Sequence, residues 1–318
     1  MLKFWRSDLQ LSGARAVQEF SMSIPRFPSM FFVRLALSVL LSTASVAQSQ
    51  THASCTFRFF KLGVNIPNLG PGFITPSGIN DFGTIVGVAT PNDPLEPNAA
   101  FVRWANGGIS FPLGTSSVKR SALLDRNDNG SSIGYLGSVA LLLKGTTVTP
   151  VNLNNIGSPV EFIRGINNWG SIVGSYNTPS TVNGFKRWSN GNALTLSYPR
   201  SSTSTFPTSI NDNGTVVGSY FSGPSGVQLP QNGFIYHNGN WATLNYPNPA
   251  AFTDLVGISN AGMIIGNADT DHGFLYKNGV FKIISAPDGS PTNVMGISPK
   301  LGLIVGTGNQ GGFIAKCN

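Results

Sequence analysis

Apolar and polar residues alternate along most of this chain in short runs, broken every few positions by Gly, Asn, Ser or Pro. Alternation with a period of two predicts half-buried β-strands, and the frequent breaks predict tight turns. The runs also repeat. Residues 78–87 (GINDFGTIVG) return as 165–174 (GINNWGSIVG), 209–218 (SINDNGTVVG) and 257–266 (GISNAGMIIG). Looser copies lie at 125–134 and, one residue longer, at 296–306. The turn glycines Gly83, Gly130, Gly170, Gly214, Gly262 and Gly302 are 40 to 48 residues apart.

Each unit has a second half. Phe101, Phe185, Phe234 and Phe274 each precede an aromatic-x-Asn-Gly run, at 104–107, 188–191, 236–239 and 276–279. In the first half, an Asn can bond its own backbone and a Gly can take positive φ, so N-x-x-G reads as a turn between two strands. In the second half, Asn-Gly is a hairpin signal. Four antiparallel strands in about 44 residues is the size of a propeller blade. Residues 55–318 hold six such units, which predicts a six-bladed all-β propeller. The C-terminal 312–317 matches a third strand and then stops, while 56–62, continuing to 67, matches a fourth. The last blade is therefore expected to combine one N-terminal strand with three C-terminal ones. The two cysteines, Cys55 and Cys317, flank those strands. In an exported chain they are expected to form a disulfide, with two buried free thiols as the alternative.

The pattern Gly-Ile-Asn-x-x-Gly-x-Ile-Val-Gly followed by Gly-Phe-x-Tyr-x-Asn-Gly resembles the HAF family of bacterial extracellular repeats. The best copies are 257–266 with 273–279, and 209–218 with 233–239. The resemblance covers about residues 72–318 and implies export and a repeat architecture, with no chemistry and no catalytic residue to carry over. The second unit departs from it: Arg126 stands where the Ile recurs, and Leu143-Lys144-Gly145 replaces the aromatic turn.

Composition agrees with an all-β reading. Only 10% of residues are charged, against the usual ~25%, which leaves little to write helix surfaces with. Hydrophobic residues are 41%, enough for a core. The net charge of +7 falls to +4 once residues 1–47 are set aside, and the remaining basic residues are scattered. That argues against a nucleic-acid stripe. Arg26 and Arg34 precede an apolar run from Leu35 to Leu41, and Ser45-Val46-Ala47 supplies small residues before a cut. Residues 1–47 are thus expected to be an export signal cleaved after Ala47. Met22 and Met30 are alternative starts, and a long n-region or an uncut anchor stays open. Residues 48–54 read as a linker and 55–318 as one domain, with no further membrane span, in a secreted or periplasmic monomer.

Chemical motifs reduce to turns. Residues 306–311 match G-x-G-x-x-G, but a strand rather than a helix is expected to follow, so no dinucleotide site is read there. The segments 127–130 and 211–214 look like calcium-loop fragments yet coincide with repeat turns and lack the later Glu. His52, His237 and His272 do not cluster. No metal, cofactor or catalytic residue is assigned. Glu161, Arg164, Asp125 and Asp254 fall on expected innermost strands and are candidates to face the channel. The long, varied connections between second and third strands, and between each fourth strand and the next first strand, are expected to form a collar at one end of the ring. Tyr176, Tyr220, Phe221 and Asp271 are expected there as recognition residues. Two roles remain open: a binding or scaffold module for an extracellular protein or glycan, or an enzyme acting on a glycan through channel-mouth carboxylates.

Overall fold

The computed structural model describes residues 51–318, apart from 157, 200, 202–203, 223–230, 248–251 and 269–271. Its strands form six antiparallel blades arranged in sequence order around a channel. The innermost strands are Gly70–Ile79, Ser121–Arg126, Phe162–Ile166, Thr205–Ile210, Thr253–Ile258 and Thr292–Ile297, for blades 1 to 6. Each contacts the innermost strands of its neighbours, and blade 6 returns to blade 1. Among the described residues no helix is long and apolar enough to cross a membrane.

The repeat residues make the blades. The turn glycine has positive φ in all six units, from 64° at Gly302 to 79° at Gly130, which a side chain would resist. On the third strand, Phe101, Phe185, Phe234, Phe274 and Phe313 are fully buried. Each pairs across the blade with the glycine that closes the second strand's motif, such as Gly266 opposite Phe274. A Cβ on Gly266 would stand 2.5 Å from the Phe274 ring, so the glycine gives the ring its space. Blade 2 has Leu141 opposite Gly134 in this place and still forms four strands, from Ser121–Arg126 to Thr147–Pro150.

The first turn residue links the blades as well as closing its own turn. The Asn167 amide oxygen accepts from Trp169 N at 3.1 Å and Ser171 N at 2.9 Å. Its Nδ2 donates to Asn211 O of the next blade at 3.0 Å. Asn80, Asn127 and Asn211 repeat the arrangement, passing a buried bond from blade to blade. Ser259 and Ser298 hold the position in blades 5 and 6 and each accept from a backbone amide of their own turn, Met263 N and Leu303 N. The next residue builds a second ring. Asp81 N donates to Asp128, Asp128 N to Asn168, Asn168 N to Asp212, and Asp212 N to Asn260. Asn260 N reaches the Pro299 carbonyl, and Lys300 N and Leu301 N return to Asp81. Backbone amides and side-chain oxygens are thus paired from blade to blade around the whole ring.

Closure is as expected at its centre and differs at its edges. Cys55–Phe60 pairs with Gly311–Cys317 as the outer strand of blade 6, and Cys55 is bonded to Cys317. The disulfide stands where the other blades have the hairpin joining third and fourth strands, so it replaces that covalent link. The outer strand stops at Phe60, however. Gly63–Ile66, read from sequence as its continuation, instead pairs with the start of the blade 1 innermost strand. Residues 51–54, read as a linker, are also engaged: Thr51–His52 runs parallel to Lys282–Ile283 on the outer edge of blade 5. The N-terminal segment therefore pairs in turn with blades 5, 6 and 1.

Candidate functional site

Each innermost strand carries a β-bulge at the same place, one residue before the Gly-Ile-Asn motif. A bulge leaves one residue unpaired and re-aims its side chain. The six residues are Ser77, Leu124, Arg164, Thr208, Val256 and Met295, and all six line the central cavity. The cavity measures about 650 Å³, within the range of small-ligand sites. Arg164 is the one cation in this tier. Two positions earlier on the same strands stand Phe162, Phe206, Asp254 and Asn293, also on the wall. Phe162 and Phe252, 41% and 39% exposed, mark the loop-rich mouth, where Phe206 and Phe221 meet edge to face at 5.8 Å.

Three of the four channel candidates, Asp125, Arg164 and Asp254, share this cavity. Asp125 occupies the position held by glycine in blades 1, 3, 5 and 6. Both its oxygens are engaged, Oδ1 by Arg126 N at 2.8 Å and Oδ2 by Ile166 N of blade 3 at 2.9 Å. Burial pushes its carboxyl up to about 6 against the pull of those two amides. Asp254 is also raised by burial, opposed by the charge of Arg164 and a bond from the Ser219 hydroxyl. Asp254 and Arg164 form no ion pair among the described residues. Glu161 is not on the cavity wall: it is half-buried just before the blade 3 innermost strand, where its Oε2 has no partner.

The collar reading needs correction. The second strands run further than the repeat motif suggested, to Asn177 and Phe221, so Tyr176 and Tyr220 lie within them and are buried. Tyr176 shares a hydrogen bond with Thr195 at 2.8 Å, and Tyr220 stacks on Tyr198 at 3.9 Å. Both are core residues rather than recognition groups. Phe221, at the strand end, does reach the cavity. Asp271 lies outside the described residues. The most exposed described aromatics, Trp169 and Phe82, stand at the opposite end on the tight turns.

Sequence reasoning missed Phe162, Phe206, Phe252 and Ser175. A signal existed: Phe162, Phe206 and Asp254 share one column of the aligned repeats, three before the Gly or Ser of the motif. Ser175 is 1% exposed, borders the cavity, and its hydroxyl has no partner. Its counterpart in blade 4, Ser219, bonds Asp254 of the following blade. For Ser175 the following blade offers Phe206 instead, which cannot accept.

No family model and no curated protein matches this chain. Solved propeller structures do. A protein provisionally assigned as a gluconolactonase aligns with a TM-score of 0.51 at 12% identity, over 85% of this chain and 94% of that one. A gluconolactonase from Xanthomonas campestris gives 0.48 at 9%, over 85% and 99%. A streptogramin B lyase gives 0.47 at 11%, over 83% and 98%. At such identities the likeness carries the fold and no activity. The chain is a six-bladed β-propeller.

Proposed function

We propose that this is an exported binding module, one of the extracellular repeat proteins it resembles, whose partner enters the loop-rich mouth of the channel. The observation that carries the reading is the wall itself. The same strand position that is structural elsewhere is varied at the bulge and above it, giving a phenylalanine-rimmed cavity with separate charges. Phenylalanine faces suit the apolar faces of sugars or peptide side chains. The disulfide and the export signal expected from the sequence favour an oxidising compartment outside the cytoplasm. Binding is favoured over catalysis because Asp125 already spends both oxygens on backbone amides.

The test is a glycan and peptide array probed with the secreted protein and with Phe162→Ala/Phe252→Ala. Binding lost in the variant at unchanged melting temperature supports the reading. Retained binding there, with loss in Trp169→Ala/Phe82→Ala, places the partner at the other end. A second reading is a glycan-cleaving enzyme, favoured by an Asp125 carboxyl that burial pushes up to about 6. It requires turnover of an array hit that Asp125→Asn abolishes without weakening binding. Mass spectrometry of the exported protein is expected to find Gln48 at the N-terminus.

A further inference from the structure

Arg164 and Asp254 face the same cavity from blades 3 and 5, with Phe206 and Thr208 of blade 4 between them. Opposite charges in one cavity normally pair. Here they do not, and the Arg164 guanidinium makes no hydrogen bond among the described residues. Beside it on blade 3, the Ser175 hydroxyl is buried, borders the cavity and has no partner. A buried polar group left open in a cavity wall is a position for a ligand atom. Thr208 has no proton to spare for a ligand, since its single hydroxyl proton is held between the carbonyls of Val217 and Leu255. The carboxylate of Asp254 takes one bond from Ser219, which leaves acceptor capacity toward the cavity. One side of the cavity thus offers a guanidinium and a hydroxyl, the other a carboxylate, and the wall between them is a phenylalanine ring.

We propose that the cavity binds a short zwitterion of the free-peptide type, with its carboxylate on Arg164 and Ser175, its ammonium on Asp254 and its apolar body against Phe206. Arg presents a planar fork of donors suited to a carboxylate. The ligand supplies each charge with the partner that the protein withholds, which is how a site rejects molecules lacking either one. Placement of the two charges on non-adjacent blades suits termini separated by more than one residue. This deepens the proposed binding role and rests on it.

The experiment is calorimetric titration with leucine, Leu-Leu and Leu-Leu-Leu, and with each peptide acetylated at its amine or amidated at its carboxylate. Binding by a member of the series, weakened more than tenfold by either modification, is the expected result. Arg164→Gln should lose the preference for the free carboxylate and Asp254→Asn the preference for the free amine, each leaving the other preference intact. Indifference to both modifications, or variants that weaken all ligands alike, would overturn the proposal. If no zwitterion binds while an array ligand still depends on Phe162 and Phe252, the ligand class is wrong and the mouth assignment stands. If neither binds, both fall.

Discussion

The two ends of the innermost strands obey different rules. At the tight-turn end the strands converge on the ring axis. A Cβ on Gly296 would lie 2.8 Å from the Ser77 carbonyl of the next blade, so backbones approach closely and side-chain choice is restricted. The residues there repeat and bond to the next blade, one set of hydrogen bonds running from blade 1 to blade 5 and the other closing a full ring. A few residues along each strand, past the bulge, the strands diverge. Side chains there face a cavity instead of a neighbour, and Ser, Leu, Arg, Thr, Val and Met all occupy the same position. Regularity marks where packing decides, and variation marks where it does not.

The comparison predicts where the protein is fragile. The largest effect belongs to the disulfide, which substitutes for a hairpin turn at the converging end. Cys317→Ser opens a loop of 262 positions, worth up to about 5 kcal/mol by chain entropy. Urea denaturation should show the loss, and an unchanged midpoint would mean that the strand pairing alone closes the ring. Asn167→Ala comes next. It orphans a buried amide, a half-buried amide and a buried carbonyl, at a cost of about 4 kcal/mol. Ser259→Ala, at the same place in blade 5 with one local bond, should cost about 1 kcal/mol. Equal losses would break the account of the asparagine relay.

Asp125 sits where the two regimes meet, and pH separates them. Its folded carboxyl, near 6, lies above the ordinary unfolded value, so the folded state keeps its proton longer. Its contribution to stability is full below the unfolded value and is lost as pH rises to about 6, by at most about 3 kcal/mol. Measured between pH 4 and 7, the wild type should lose stability relative to Asp125→Asn. A constant difference would show that the carboxyl is not desolvated. The smallest effect is expected at the mouth. Arg164→Gln and Phe162→Ala should each change stability by less than about 0.5 kcal/mol, since both side chains are exposed to the channel. A loss above about 2 kcal/mol would mean that these residues hold the ring and are not free for a partner.

Much of this was legible in advance. The Gly-Ile-Asn turns and buried phenylalanines gave away six blades because their chemistry is local: positive φ, an Asn bonding its own backbone, an Asn-Gly hairpin. Pairing of Cys55 with Cys317 followed from the strands beside them. The acids Asp125 and Asp254 and the cation Arg164 were placed on the channel because their positions in the repeat put them on innermost strands. Tyr176 and Tyr220 were misplaced because variable sequence was read as loop, whereas hydrogen bonding to the third strand carries the second strand on through them.

What the sequence determined by itself is the unit: four strands, their turns and the glycine opposite each phenylalanine, all set by contacts within about 44 residues. What only the tertiary structure decided is everything between units. The pairing of Ser219 with Asp254 and the lack of any such partner for Ser175 depend on which blade follows which. So does the clasp of Thr51–His52 on blade 5. Those contacts join residues dozens to hundreds of positions apart, and no local pattern encodes them, because each arises only when the ring closes.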